Sequence, residues 1–122
     1  MKQCLVVDDS RVIRRVAAKI IEDMGFQTVE AEDGRRALAI CQTRMPDVIV
    51  LDWEMPQMDG PTLTGALRAL PGGDKTTIIF CAARNEAGDI GQALQLGADE
   101  YIMKPFDSEI VSSKFLLLGL LG

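Results

Sequence analysis

Runs of consecutive apolar residues alternate along this chain with stretches in which apolar residues recur every three or four positions. Cys4-Leu5-Val6-Val7, Val48-Ile49-Val50-Leu51 and Ile78–Ala82 are apolar throughout, the mark of strands buried on both faces. Thr28–Ala31 and Glu100–Met103 are short and carry a charge, which suits the edges of a sheet. The first helical pattern holds Val12, Ile13, Val16, Ala17, Ile20, Ile21 and Met24 as its apolar face, with Ser10 as N-cap and Gly25 as stop. Asp33-Gly34 opens a second helix, with Ala37, Leu38 and Cys41 inward, that ends before Pro46. Asp59-Gly60-Pro61 leads into a third, faced by Leu63, Ala66, Leu67 and Leu70 and broken by Pro71-Gly72-Gly73. A fourth is expected around Glu86–Leu96, weakened by Gly88 and Gly91. The last, capped by Asp107 or Ser108, carries Ile110, Val111, Phe115 and Leu118.

Five strands alternating with five helices predict an α/β fold, a doubly wound parallel sheet. The most apolar strands belong in the centre and the charged ones at the edges; with right-handed crossovers this gives the order 2-1-3-4-5. The winding then reverses between the first and third strands, where ligand crevices form at the carboxyl ends. Asp8-Asp9 ends the first strand and Asp52 the third, so three carboxylates converge there.

Composition narrows the functions this site can serve. At 122 residues the chain is expected to be a single domain, 1–122, and a net charge of −5 leaves no basic face for nucleic acid. The apolar run before Asp8 is too short for a signal peptide or a membrane span, which favours the cytoplasm. Cys4, Cys41 and Cys81 lie in apolar stretches without a CxxC pair and read as buried thiols. No histidine is present, so the chain carries no phosphohistidine of its own.

Clustered carboxylates repel one another and demand a cation or a proton. Oxygen ligands in an open site suit Mg²⁺, and Lys104, after the fifth strand, adds a counter-charge. Cation, lysine and carboxylate are the parts that move a phosphoryl group, with Asp52 as a nucleophile forming an acyl phosphate.

Val7-Asp8-Asp9-Ser10, Leu51-Asp52-Trp53-Glu54-Met55-Pro56, Met58-Asp59-Gly60, Gly97-Ala98-Asp99-Glu100-Tyr101 and Lys104-Pro105-Phe106 occur in that order along nearly the whole chain. In these motifs the chain resembles the response-regulator receiver domains of two-component signalling, in particular the stand-alone chemotaxis type. The resemblance implies a flavodoxin-like fold, whose strand order is the one inferred above. It implies Asp52 as phosphoacceptor, charged from the phosphohistidine of a histidine kinase in a phosphorelay. By the same resemblance Asp9 binds Mg²⁺ directly, Asp8 through water, Asp52 and the Glu54 carbonyl complete the set, and Lys104 contacts the phosphoryl group. The Lys104-Pro105 bond is expected to be cis. The output is altered affinity for a downstream protein, with the chain a signalling phosphoacceptor rather than an enzyme in the ordinary sense.

One position departs from the pattern. Receivers of this kind carry Thr or Ser at the end of the fourth strand, coupled to an aromatic on the fifth; here the pair is Ala82 and Tyr101. Alanine has no hydroxyl to offer, and Cys81 should face the other side of the strand. The alternative reading is therefore an interaction module independent of phosphorylation. Glu54, Ala83, Arg84 and Pro105 are expected at the rim, where a Glu54–Arg84 ion pair would shield the acyl phosphate; two solvated charges are the simpler expectation. The arginines after Ser10 read as a solvated helix face. Phe115–Leu121 is apolar on more than one side, and Leu117, Leu120 and Leu121 are expected to form a dimer or partner surface, with a frayed terminus as the alternative. A flavodoxin would need an anion-binding loop where Asp8-Asp9 stand, and an Asp-nucleophile phosphatase would need more than Glu54 two residues after Asp52.

Overall fold

The computed structural model describes residues 2–53, 55, 58–82, 90–95 and 97–121. Its five strands are β1 (Gln3–Val7), β2 (Gln27–Ala31), β3 (Val48–Asp52), β4 (Thr77–Ala82) and β5 (Glu100–Met103). They form one parallel sheet in the order β2-β1-β3-β4-β5. The three central strands are those without charge in their apolar runs, since only there must every side chain face a covered layer.

Helices α1 (Arg11–Asp23), α2 (Gly34–Thr43), α3 (Gly60–Ala69) and α5 (Ser108–Leu117) start where the sequence supplies caps. The Ser10 hydroxyl accepts from Ile13 N, and the Asp33, Asp59 and Asp107 carboxylates accept from Arg36, Thr62 and Ile110 N. Between β4 and β5 a short helix, α4 (Ile90–Gln95), is described; the remainder of the expected Glu86–Leu96 helix lies outside the described residues. Gly25 ends α1's last turn at φ 98°, a left-handed conformation that favours glycine.

The sheet separates two cores. On one side Leu5, Ile49, Leu51, Ile78 and Phe80 meet Ala37 and Cys41 of α2 and Leu63 and Leu67 of α3. On the other, Cys4, Val6, Val50, Ile79 and Cys81 meet Ala17 and Ile21 of α1 and Val111 and Phe115 of α5. All three cysteines are buried and unpaired, as expected.

The apolar faces of α1 and α5 are narrower than the sequence pattern suggested. Val12 is 72% exposed and Val16 47%, because the stripe that meets the sheet runs through Ala17, Ala18 and Ile21. Near the end of α5, Leu116 and Leu117 are exposed, whereas Leu120 and Leu121 pack against the core beneath α1 and α5. Of the three leucines expected to be surplus, only Leu117 is. The turn after α5, with Gly119 at φ 75°, folds the last leucines back onto that core. Among the described residues, no helix is long and apolar enough to cross a membrane.

Candidate functional site

Parallel strands all end on one side of the sheet, so β1 and β3, as neighbours, deliver their terminal carboxylates together. Asp8 and Asp52 are buried and Asp9 is exposed, and oxygens of all three lie within 4.8 Å of one another. Lys104, just past β5, reaches across the strand ends. Its Nζ donates to Asp52 Oδ1 at 2.9 Å and to Asp8 Oδ2 at 3.2 Å. The Lys104-Pro105 peptide is cis.

The charges do not balance. Three carboxylates face one ammonium, and burial pushes Asp52 up to about 6, with Lys104's hydrogen bond opposing and Asp8's charge adding to the rise. Burial works against the charge on Lys104 as well, but its bonds to Asp52 and Asp8 outweigh this and its pKa is raised. Oxygens opposite one another on an octahedral Mg²⁺ are about 4 Å apart. The three carboxylates, whose oxygens lie within 4.8 Å of one another, suit such an ion by donor type and charge.

The backbone around Asp52 is tightly set. Trp53 N donates to the Cys81 carbonyl, and Gly60 N donates to the Trp53 carbonyl, each at 2.9 Å. A Cβ on Gly60 would lie 2.7 Å from the Asp52 carbonyl oxygen and 2.5 Å from Phe80, so only glycine lets the β3–α3 connection close here. The Trp53 indole stacks edge-on against Phe80, ring centres 5.1 Å apart.

Ala82 is buried at the end of β4 and stands opposite Met103. Tyr101 is half-buried opposite Phe80, and its ring lies under Lys114 Nζ, 4.5 Å from the centroid. Lys114 also pairs with Glu100 at 3.4 Å. Cys81 takes the opposite side of β4 from Phe80, and the register sets it beside Asp52. Pro105 is exposed and, with Lys104, Phe106, Val12, Ile13 and Val16, lines a groove of about 340 Å³. Glu54, Ala83 and Arg84, with the ion pair considered for them, lie outside the described residues.

One arginine is not the solvated charge that the helix pattern implied. The Arg14 side chain is only 13% exposed. Its Nη1 donates to the Asp8 carbonyl at 2.7 Å and its Nε to Glu30 Oε1 at 3.3 Å. Its position four residues after the Ser10 cap, with a glutamate on the neighbouring edge strand, was the available signal.

An open parallel α/β sheet with an acidic cluster and one lysine at its switch point defines the class of domain. The response regulator receiver domain model matches residues 4–115, and the chain belongs to this family of two-component signalling proteins. Among its relatives is the chemotaxis protein CheY of Pseudomonas aeruginosa, 34% identical over 111 residues, 90% of each chain. The phosphate regulon transcriptional regulatory protein PhoB of the same organism is 38% identical over 109 residues, but this chain spans only 46% of its length. The same 46% holds for a probable transcriptional regulator ycf27 of Cyanophora paradoxa. The structure of chemotaxis protein CheY4 from Vibrio cholerae superposes with a TM-score of 0.89 at 31% identity, covering 96% of this chain and 98% of that one. Receiver domains are signalling phosphoacceptors that typically bind Mg²⁺ at an acidic pocket and interact with histidine kinases and downstream targets.

Proposed function

We propose that residues 1–122 act as a single receiver domain whose Asp52 accepts a phosphoryl group from the phosphohistidine of a histidine kinase. The observation that carries this reading is the bridge of Lys104 between Asp52 and Asp8 beside the exposed Asp9. An Asp52 oxygen attacks phosphorus, the phosphorus–nitrogen bond breaks, and the imidazole leaves with that electron pair. Lys104 gives up part of its contact with Asp52 and neutralises charge on the arriving phosphoryl oxygens. Asp9, Asp52 and the Glu54 carbonyl, with Asp8 through water, would hold Mg²⁺, which would supply the remaining positive charge.

The domain works as a phosphorylation-dependent binding module for a downstream protein, in the cytoplasm and without direct contact to nucleic acid. Chemotaxis is the favoured setting because CheY proteins match it along most of their length. A self-association or partner surface near the end of the last helix, where Leu117 is exposed, belongs to the same reading. One observation favours a second reading. Ala82 offers no hydroxyl, and Tyr101 is held by Lys114 of α5, so the module's interactions are independent of phosphorylation in that alternative.

Trp53 is the only tryptophan and adjoins Asp52. Its fluorescence is followed while Mg²⁺ and then acetyl phosphate are added, beside Asp52→Asn, with intact mass as the check. A response to Mg²⁺ and a donor-dependent mass gain absent from the variant are expected. Absence of both in folded protein favours the phosphorylation-independent module.

A further inference from the structure

The Asp8-Asp9 turn is held at four points. Asp8 N donates to the Ala31 carbonyl at 3.2 Å and Ser10 N donates to Asp8 Oδ1 at 2.9 Å. Lys104 takes Asp8 Oδ2, and Arg14 Nη1 takes the Asp8 carbonyl at 2.7 Å. That carbonyl belongs to the rigid peptide plane from which Asp9 continues, so fixing it limits where the Asp9 carboxylate can go. Arg14 is itself held from the side by Glu30 on β2, the edge strand. Glu30 also lies 3.9 Å from Arg15 Nε.

A guanidinium this close to an acidic site acts in two opposing ways. As a charge, it repels an incoming cation; as a strut, it keeps the oxygens in place for one. Glu30 offsets the charge and leaves the strut. We propose that Arg14, held by Glu30, is a positioning residue for the cation site of Asp8, Asp9 and Asp52. The proposal rests on the reading of that cluster as a Mg²⁺ site.

Charge and geometry predict opposite signs, which makes the test decisive. Removing a positive charge beside a cation site should tighten Mg²⁺ by electrostatics alone. Loss of the strut weakens it, on the order of tenfold by comparison with groups that orient metal ligands from behind.

The experiment titrates MgCl₂ against Trp53 fluorescence in wild type, Arg14→Ala, Arg14→Lys, Glu30→Gln and Lys19→Ala. Thermal unfolding in EDTA is recorded for each, to separate affinity from folding. Arg14→Ala should bind Mg²⁺ about tenfold more weakly. Arg14→Lys should fall between, because a point charge has no fork to reach both Asp8 and Glu30. Glu30→Gln should also weaken binding, a sign that charge alone predicts, so Arg14→Lys, which keeps the charge and loses the fork, carries the test if Arg14→Ala does not fold. Lys19→Ala, which breaks only an exposed pair with Asp23, should bind as wild type does.

Equal or tighter Mg²⁺ binding in Arg14→Ala, with wild-type binding intact, overturns the proposal alone. A folded wild type that binds no Mg²⁺ overturns the cation reading and the proposal with it.

Discussion

Replacing Asp52 with asparagine should stabilise the cation-free protein at neutral pH, although it removes one side of an ion pair. Burial raises the Asp52 carboxyl from 3.8 to about 6 in the folded chain, even with Lys104 bound to it. A carboxylate whose folded value lies above its unfolded value favours folding while protonated. That contribution is complete below 3.8 and is lost as pH rises through about 6. Two units correspond to about 3 kcal/mol, and relaxation around a half-open site reduces this to about 1–2 kcal/mol. Asparagine keeps the neutral shape and an oxygen for Lys104, so it avoids the loss. The assay is urea unfolding of wild type and Asp52→Asn in EDTA between pH 4 and pH 8. The difference should be near zero at the acid end and reach its plateau, in favour of the variant, above neutrality. Added Mg²⁺ should then narrow the gap, because a ligand of the folded state stabilises the chain that binds it. A variant less stable than wild type at pH 7, or a difference that ignores pH, refutes the reasoning.

Lys104→Met leaves Asp8 and Asp52 facing one another without a counter-ion, and should cost about 1–3 kcal/mol at pH 7, measured by urea unfolding in EDTA and recovered in part by Mg²⁺. Arg68 donates to the Gly97, Gly73 and Thr76 carbonyls and pairs with Asp99, joining α3 to the starts of β4 and β5. Arg68→Ala should therefore cost about 2–4 kcal/mol by the same assay, far from the acidic cluster and without a change in Mg²⁺ affinity. Burial pushes the Cys41 thiol up to about 11 and the Cys81 thiol up to about 12, and raises Cys4 further still. At pH 8 none of the three should react with an aromatic disulfide reagent until urea is added, when all three should.

The sheet was legible in the sequence because a strand buried on both faces must be apolar at every position, and three segments are. The carboxylate cluster followed from strand order alone, since Asp8, Asp9 and Asp52 end adjacent parallel strands. Surface helices were harder to read. Val12 and Val16 fit α1's apolar repeat, yet the sheet covers only the stripe through Ala17 and Ile21. Apolar residues at a chain end posed the same difficulty: Leu116 stays exposed while Leu120 turns inward after Gly119, a reversal that periodicity does not encode. Arg14 was easy to misread because a charge on a helix ordinarily means solvent and its main-chain acceptor leaves no mark in the sequence, so Glu30 on the edge strand was the one available signal.

What surrounds Asp52 limits how a change there can leave the site. On β4, Ala82 has no polar atom beyond its backbone, and Cys81, the register neighbour of Asp52, stays a neutral thiol because burial opposes its ionisation more than Lys104 favours it. Neither is a charged lever. Tyr101 is anchored from the α5 side through Lys114 and Glu100, with Phe80 across the strand. Lys104 differs from all of these. It is bonded to Asp52 and Asp8, and it also forms one wall of the groove lined by Val12, Val16, Pro105 and Phe106. One side chain, that of Lys104, thus joins Asp52 to the groove beside α1 with no hydroxyl needed at position 82.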